Sequence, residues 1–157
     1  MKKYNERQGF TLIEILVVIG IIAILAAIVV IAINPARQFA QARNSQRLSN
    51  INTYLNAIGQ DMADNKGLFG GVCASVSLPA TTTAILNGSG TGVNLSCLTP
   101  TYIPAGLPTD PTYTSGTDTF YTVVQDNVGS TTGRVTVCAP KSVETALGSP
   151  VTLCVVR

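Results

Sequence analysis

From Ile15 to Ile33 the chain carries no charged residue and is almost wholly aliphatic. As a helix this run rises about 28 Å, close to the roughly 30 Å of a bilayer's hydrocarbon core. The pattern predicts a membrane-spanning segment. At Asn34-Pro35 the run ends, and a proline there removes an amide donor and crowds the preceding turn, so the helix breaks or kinks. Beyond it the period changes. Leu48, Ile51, Leu55, Ile58 and Met62 recur at alternating spacings of three and four, one apolar stripe on an amphipathic helix. Ala36, Phe39 and Ala40 carry a thinner stripe back toward Pro35, while Arg37, Gln41, Arg43, Asn44, Gln46, Arg47, Asn52 and Asn56 occupy the other faces. Asp64-Asn65-Lys66-Gly67 supplies a stop, with asparagine and glycine suited to a helix C-terminus. One long helix from about Thr11 to about Asn65 is expected, roughly 80 Å if straight. Its first half is apolar all round, and its second half offers one face to a globular domain.

After Gly67 the composition shifts to glycine, serine, threonine and proline. Thr81-Thr82-Thr83, Asn87-Gly88-Ser89-Gly90 and Thr91-Gly92 read as loops, and Pro100, Pro104, Pro108 and Pro111 discourage a long helix, so residues 67–118 are expected to form a loop-rich connection. Three strand-like runs follow: Thr119 to Gln125, Arg134 to Cys138 and Val151 to Val156. Asn127, Gly129 and Gly133 mark the first turn between them, and a connection from Pro140 to Pro150 the second. Alternation places Val135 and Val137 on one face, and Val151, Leu153 and Val155 on one face of the last strand. Those faces can close over Leu48, Ile51, Leu55 and Ile58. The expected fold class is α+β: a long N-terminal α-helix whose amphipathic half packs on a small antiparallel β-sheet formed by residues 119–157.

Composition narrows the chemistry. The chain of 157 residues holds no histidine and no tryptophan, and charged residues make up 11% of it. Without histidine the commonest general base and metal ligand is missing, and a serine triad is excluded. Asp61, Asp64, Asp110, Asp118, Asp126 and Glu144 are the acids beyond the apolar run, and none sits in a catalytic motif. Asn87-Gly88-Ser89-Gly90 lacks the lysine and the strand-to-helix setting of a phosphate loop. No enzyme activity and no cofactor are expected. Thr109-Asp110-Pro111 reads as an Asx or proline turn; a calcium site is the less favoured alternative, since calcium takes six to eight oxygens and Asp110, Asp118 and Asp126 are spread out. Asn87-Gly88-Ser89 and Asn94-Leu95-Ser96 fit the glycosylation pattern, which chance also produces.

Cys73, Cys97, Cys138 and Cys154 all follow the apolar run, and their separations lack the close pairs of a zinc or thioredoxin-like site. In an exported domain an even set of spaced cysteines reads as a disulfide framework. Of the three possible pairings, Cys73 with Cys97 and Cys138 with Cys154 is favoured, since each pair brackets one loop-rich segment; four free buried thiols are the alternative.

One residue is out of place. Glu14 puts a carboxylate a turn inside the apolar helix, where an unpaired charge costs several kcal/mol. Ahead of it stands a short polar segment with Lys2, Lys3 and Arg7 against Glu6, ending in Gly9 before Phe10. Beyond that segment the charges balance, leaving no basic field for strong nucleic-acid binding. Cleavage after Gly9 would place a new α-amino group on Phe10, within reach of the Glu14 of a staggered neighbouring helix. The block Gly9-Phe10-Thr11-Leu12-Ile13-Glu14, with its basic leader and apolar successor, closely resembles the processing site of type IV prepilins and type II secretion pseudopilins.

That resemblance implies cleavage after Gly9 by a prepilin peptidase, N-methylation of Phe10 and a role for Glu14 in subunit registration. It divides the chain into a leader over 1–9, a hydrophobic assembly helix over 10–34, an amphipathic continuation over 35–66 and a globular head over 67–157. The expected function is a structural subunit of a type IV pilus-like filament. The expected partners are copies of itself through the N-terminal helices, the inner-membrane assembly machinery and, before assembly, the lipid bilayer. The subunit would span the cell membrane once with its N-terminus cytoplasmic, then enter an extracellular pilus or a pseudopilus. A major pseudopilin of a secretion or competence system, a minor-pilin adhesin and a plain signal-anchored protein are the alternatives.

Overall fold

A computed structural model describes residues 9–127, 133–148 and 151–157. The leader residues 1–8, Gly129 and Pro150 lie outside the described residues. The chain forms two compact units, one up to Gln38 and one from Phe39 to Arg157.

In the first unit, helix α1 runs from Leu12 to Ala32 and none of its residues is buried. It does not continue directly into the second helix, α2, which runs from Pro35 to Asp64. Asn34 interrupts them with φ 36°, a left-handed conformation that asparagine tolerates better than other side chains. Its side-chain oxygen accepts the Arg37 N–H at 3.3 Å, and Pro35 begins the new helix, where a missing N–H costs nothing. The expected break at Asn34-Pro35 is therefore a stop followed by a restart.

The second unit is built on α2. Ala40, Ile51, Tyr54, Leu55, Ala57 and Ile58 are buried, with Met62 partly so. Leu48, assigned to this stripe from sequence, is instead 43% exposed. Its neighbour Arg47, assigned to the polar faces, is fully buried, as is Asp61. The end of α2 falls at the expected stop, and Gly67 N–H bonds back to the Met62 carbonyl at 2.7 Å. Lys66 (φ 58°), not a glycine, takes the left-handed position before it.

A five-stranded sheet covers the stripe in the order β2-β1-β3-β4-β5. Its strands are β1 (Thr83–Leu86), β2 (Val93–Asn94), β3 (Asp118–Gln125), β4 (Val135–Ala139) and β5 (Leu153–Val156). The three expected strands are present. The sheet is mixed rather than antiparallel, because β1 and β2 pair in parallel, and both lie in the stretch expected to be loops. Alternation along β3 buries Thr119, Tyr121, Val123 and Gln125, and along β4 it buries Val135, Val137 and Ala139. On β5, Leu153 and Val155 pack against the core, whereas Val151 lies ahead of the strand and is 69% exposed. The result is an α+β, pilin-like arrangement.

Two disulfides join Cys73 to Cys97 and Cys138 to Cys154. Side chains from α2 pin the proline-rich segment: Tyr54 donates to the Pro108 carbonyl at 2.6 Å, and Asn50 donates to the Thr109 carbonyl and the Tyr121 hydroxyl. Leu55→Ala should destabilise the second unit by about 3 kcal/mol. Leu48→Ala should cost less than about 0.5 kcal/mol. Urea unfolding of the detergent-solubilised chain compares them; equal losses would contradict the placement of the stripe.

Candidate functional site

The block Gly9-Phe10-Thr11-Leu12-Ile13-Glu14 occupies the entrance to α1. Thr11 stands at the N-cap in extended conformation (φ −81°, ψ 151°), and its hydroxyl accepts the Glu14 N–H at 3.3 Å. In return Glu14 Oε2 accepts the Thr11 N–H and the Thr11 hydroxyl, both at 2.9 Å. This is a capping box: two backbone donors that the first helical turn leaves without partners are satisfied reciprocally. It also puts the carboxylate at the positive end of the helix dipole. Glu14 Oε1 makes no hydrogen bond among the described residues, so one of the two oxygens is committed and one is open. Phe10 is 85% exposed, and Gly9 has no atom within 4 Å of where a Cβ would stand. No contact within the described residues calls for glycine at position 9.

Behind this entrance, α1 is long and apolar enough to cross a membrane, with a mean hydropathy of 3.5 in its most apolar window. Its outward surface is a continuous coat of isoleucine, leucine and valine. Such a surface dissolves in lipid or packs on other helices.

Residues 4–30 match the prokaryotic N-terminal methylation motif. This motif is the class III leader of type IV pilins and pseudopilins, and it spans Gly9, Phe10, Glu14 and most of α1. The motif supports a type IV pilin-like or pseudopilin-like prepilin, and the family that carries it is a structural one. The leader implies processing by a prepilin peptidase and pilus assembly, and with the apolar helix it is consistent with membrane anchoring before assembly. No curated protein and no solved structure matches the chain.

Asp61, Asp110 and Glu144, three of the acids weighed as chemical candidates, hold segments of the second unit together. Asp61 accepts backbone N–H groups from Gly70, Gly71 and Val72 at 2.8, 3.2 and 2.9 Å, which folds the segment after α2 onto its last turns. Gly71 suits this close approach, since a Cβ there would sit 2.9 Å from Asp61 Oδ1. Asp110 forms the Asx turn expected at Asp110-Pro111, accepting the Thr112 N–H and hydroxyl at 2.8 and 2.6 Å. Its two oxygens also receive the Arg47 guanidinium, at 2.6 Å to Nε and 3.0 Å to Nη2.

Arg47 Nη1 then reaches Glu144 at 2.7 Å, and Arg43 holds the same carboxylate through Nε and Nη2, both at 2.7 Å. Burial alone would push the Asp110 carboxyl up, but the bonds from Arg47 and Thr112 outweigh it and hold the group below the usual carboxylate range. Glu144 is drawn from 4.5 down to about 2 by its hydrogen bonds to Arg43 and then Arg47. Sequence reasoning missed the partnership of Arg47, Asp110 and Glu144. The available signal was positional, for Arg47 lies one helical turn before Ile51 and so falls on the buried stripe.

Both carboxyls have folded-state pKa values below their unfolded ones. The contribution of Glu144 is therefore complete above about pH 4.5 and is lost as pH falls toward 2, and that of Asp110 is likewise lost on acidification. Glu144 alone should account for about 2 kcal/mol of that loss, allowing for the solvent around Arg43. Urea unfolding at fixed salt between about pH 5 and pH 2 measures it; a flat profile would contradict the ion cluster. Arg47→Ala, which strands a buried Asp110, should cost roughly 3–5 kcal/mol at neutral pH.

Proposed function

We propose that the chain is a structural subunit of a type IV pilus-like filament. The match of residues 4–30 to the methylation motif carries this reading. Hydrolysis of the Gly9–Phe10 amide by a prepilin peptidase releases the leader and leaves an α-ammonium on Phe10, which is then N-methylated. Because no contact within the described residues requires glycine at position 9, the requirement is assigned to the peptidase that reads the junction. The cut leaves the Phe10–Thr11 bond intact, so the capping box survives it.

The subunit waits in the cell membrane with its N-terminus cytoplasmic, and the inner-membrane machinery transfers α1 from lipid to a bundle of α1 helices. Apolar surface exchanges lipid for neighbouring side chains at small cost. Register needs a polar contact, and the free Oε1 of Glu14 supplies it by receiving the Phe10 ammonium of the adjacent subunit. That pairing neutralises two charges that would otherwise both be desolvated. The same motif serves pseudopilins, so the second reading is the major subunit of a secretion or competence pseudopilus.

Mass analysis of the mature chain should find Phe10 at the N-terminus carrying one methyl group; a chain that retains the leader would sink the proposal. Glu14→Ala should leave the subunit in the membrane while lowering filament yield about tenfold or more, equivalent to about 1.4 kcal/mol per contact. Unchanged yield would remove Glu14 from assembly. Immunogold electron microscopy separates the two readings: label along surface fibres is expected, and label confined to the envelope would favour the pseudopilus.

A further inference from the structure

The two disulfides of the second unit differ in what surrounds them. Cys73 is 1% exposed within the core, and Cys97 packs against that core. Cys138 and Cys154 stand directly opposite each other on β4 and β5, alternating with Val137 and Val155, which pair toward the core. Their side chains therefore emerge on the outer face of the sheet. Cys154 is exposed and Cys138 half-buried. Strand β5 is also an edge of the sheet, so no further strand among the described residues flanks Cys154. Thiol–disulfide exchange needs a thiolate to reach a sulfur from the open side, and accessible bridges are the labile ones.

We propose that the Cys138–Cys154 bridge is a site of thiol–disulfide exchange with a dithiol reductant, opening while Cys73–Cys97 stays closed. The reductant's thiolate attacks Cys154 Sγ and forms a mixed disulfide; the S–S bond breaks and Cys138 leaves as a thiolate that takes a proton from water. The reductant's second thiol then displaces Cys154, so two electrons pass to the protein and the reductant ends as a disulfide. What the bridge secures is the connection between β4 and β5. That connection holds Glu144, the clamp on Arg43 and Arg47, and Ser142, whose hydroxyl accepts the Leu153 N–H at 2.8 Å. Once opened, β5 is retained by its ladder to β4, by the Val135–Arg157 backbone pair and by the Arg157–Asn56 side-chain bond. This chemistry is independent of polymerisation through α1.

The test uses the full chain in detergent under native conditions, exposed to graded dithiothreitol, quenched with acid, alkylated and mapped by mass spectrometry. Cys138 and Cys154 should become labelled together at a dithiol concentration about tenfold or more below that needed for Cys73 and Cys97. Glutathione should be trapped as a mixed disulfide on Cys154 rather than Cys138. Opening of both bridges together, opening of Cys73–Cys97 first, or resistance of both until the chain unfolds would overturn the proposal. Capture of glutathione on Cys138 would overturn the direction of attack.

Discussion

Helix α1 has no buried side chain, and its apolar window averages a hydropathy of 3.5. Each large aliphatic side chain left in water forgoes roughly 1.5–3 kcal/mol, and α1 presents such side chains along its whole length. That debt is far larger than the net stability of a domain, and such a surface is consistent with membrane anchoring before assembly. The constraint orders the rest of the chain. Polar chemistry is confined to the entrance of the helix, where Thr11 and Glu14 answer one another across one turn. At the far end, Asn34 stops the apolar helix and starts one of a different kind, on which the second unit is built.

In that unit the stripe of α2 is not purely apolar. Arg47 and Asp61 are both fully buried, and the polar side-chain atoms of each find partners from a different source. Asp61 is satisfied by backbone N–H groups a few residues further along the chain, which shapes the turn leading to Cys73. Arg47 bonds to Asn44 on its own helix and to carboxylates from two distant segments, the approach to β3 and the connection between β4 and β5. Breaking such a cluster costs more than making it contributes, because the survivor is a buried charge without a partner. Asp110 and Glu144 therefore act as attachments of the loops to the helix rather than as reactive groups.

How much of this could be read from the chain depends on the range of the cause. Helix α1, the break at Asn34, the end of α2 and strands β3 to β5 were legible because each rests on residues a few positions apart. The methylation motif was legible for the same reason, since its match lies within residues 4–30. The spacing Thr11-x-x-Glu14 also spells a capping box, a local signal masked when Glu14 is considered only as a charge in lipid. Strands β1 and β2 were not legible: four residues and two residues display no period, and β1 exists through its pairing with β3. Arg47 and Leu48 exchange the roles that residue type suggests. The partners that admit Arg47 to the interior lie 63 and 97 positions away, a separation no local pattern reports.

The buried polar groups also settle a problem that an aliphatic stripe leaves open. Ile51, Leu55 and Ile58 repeat at the helical period, so a sheet resting on them alone could slide by one turn and still bury isoleucine and leucine. Arg47 and Asp61 stand at the two ends of that stripe, about 21 Å apart along the axis. A shift of one turn, about 5.4 Å, would carry the guanidinium beyond hydrogen-bonding distance of Asp110 and Glu144 and leave charges buried without partners. Aliphatic burial supplies the attraction between helix and sheet, while the Arg47 cluster with Asp110 and Glu144 admits one register. The orientation of the remaining surface follows from that register, and with it the faces of the unit that stay open to neighbours.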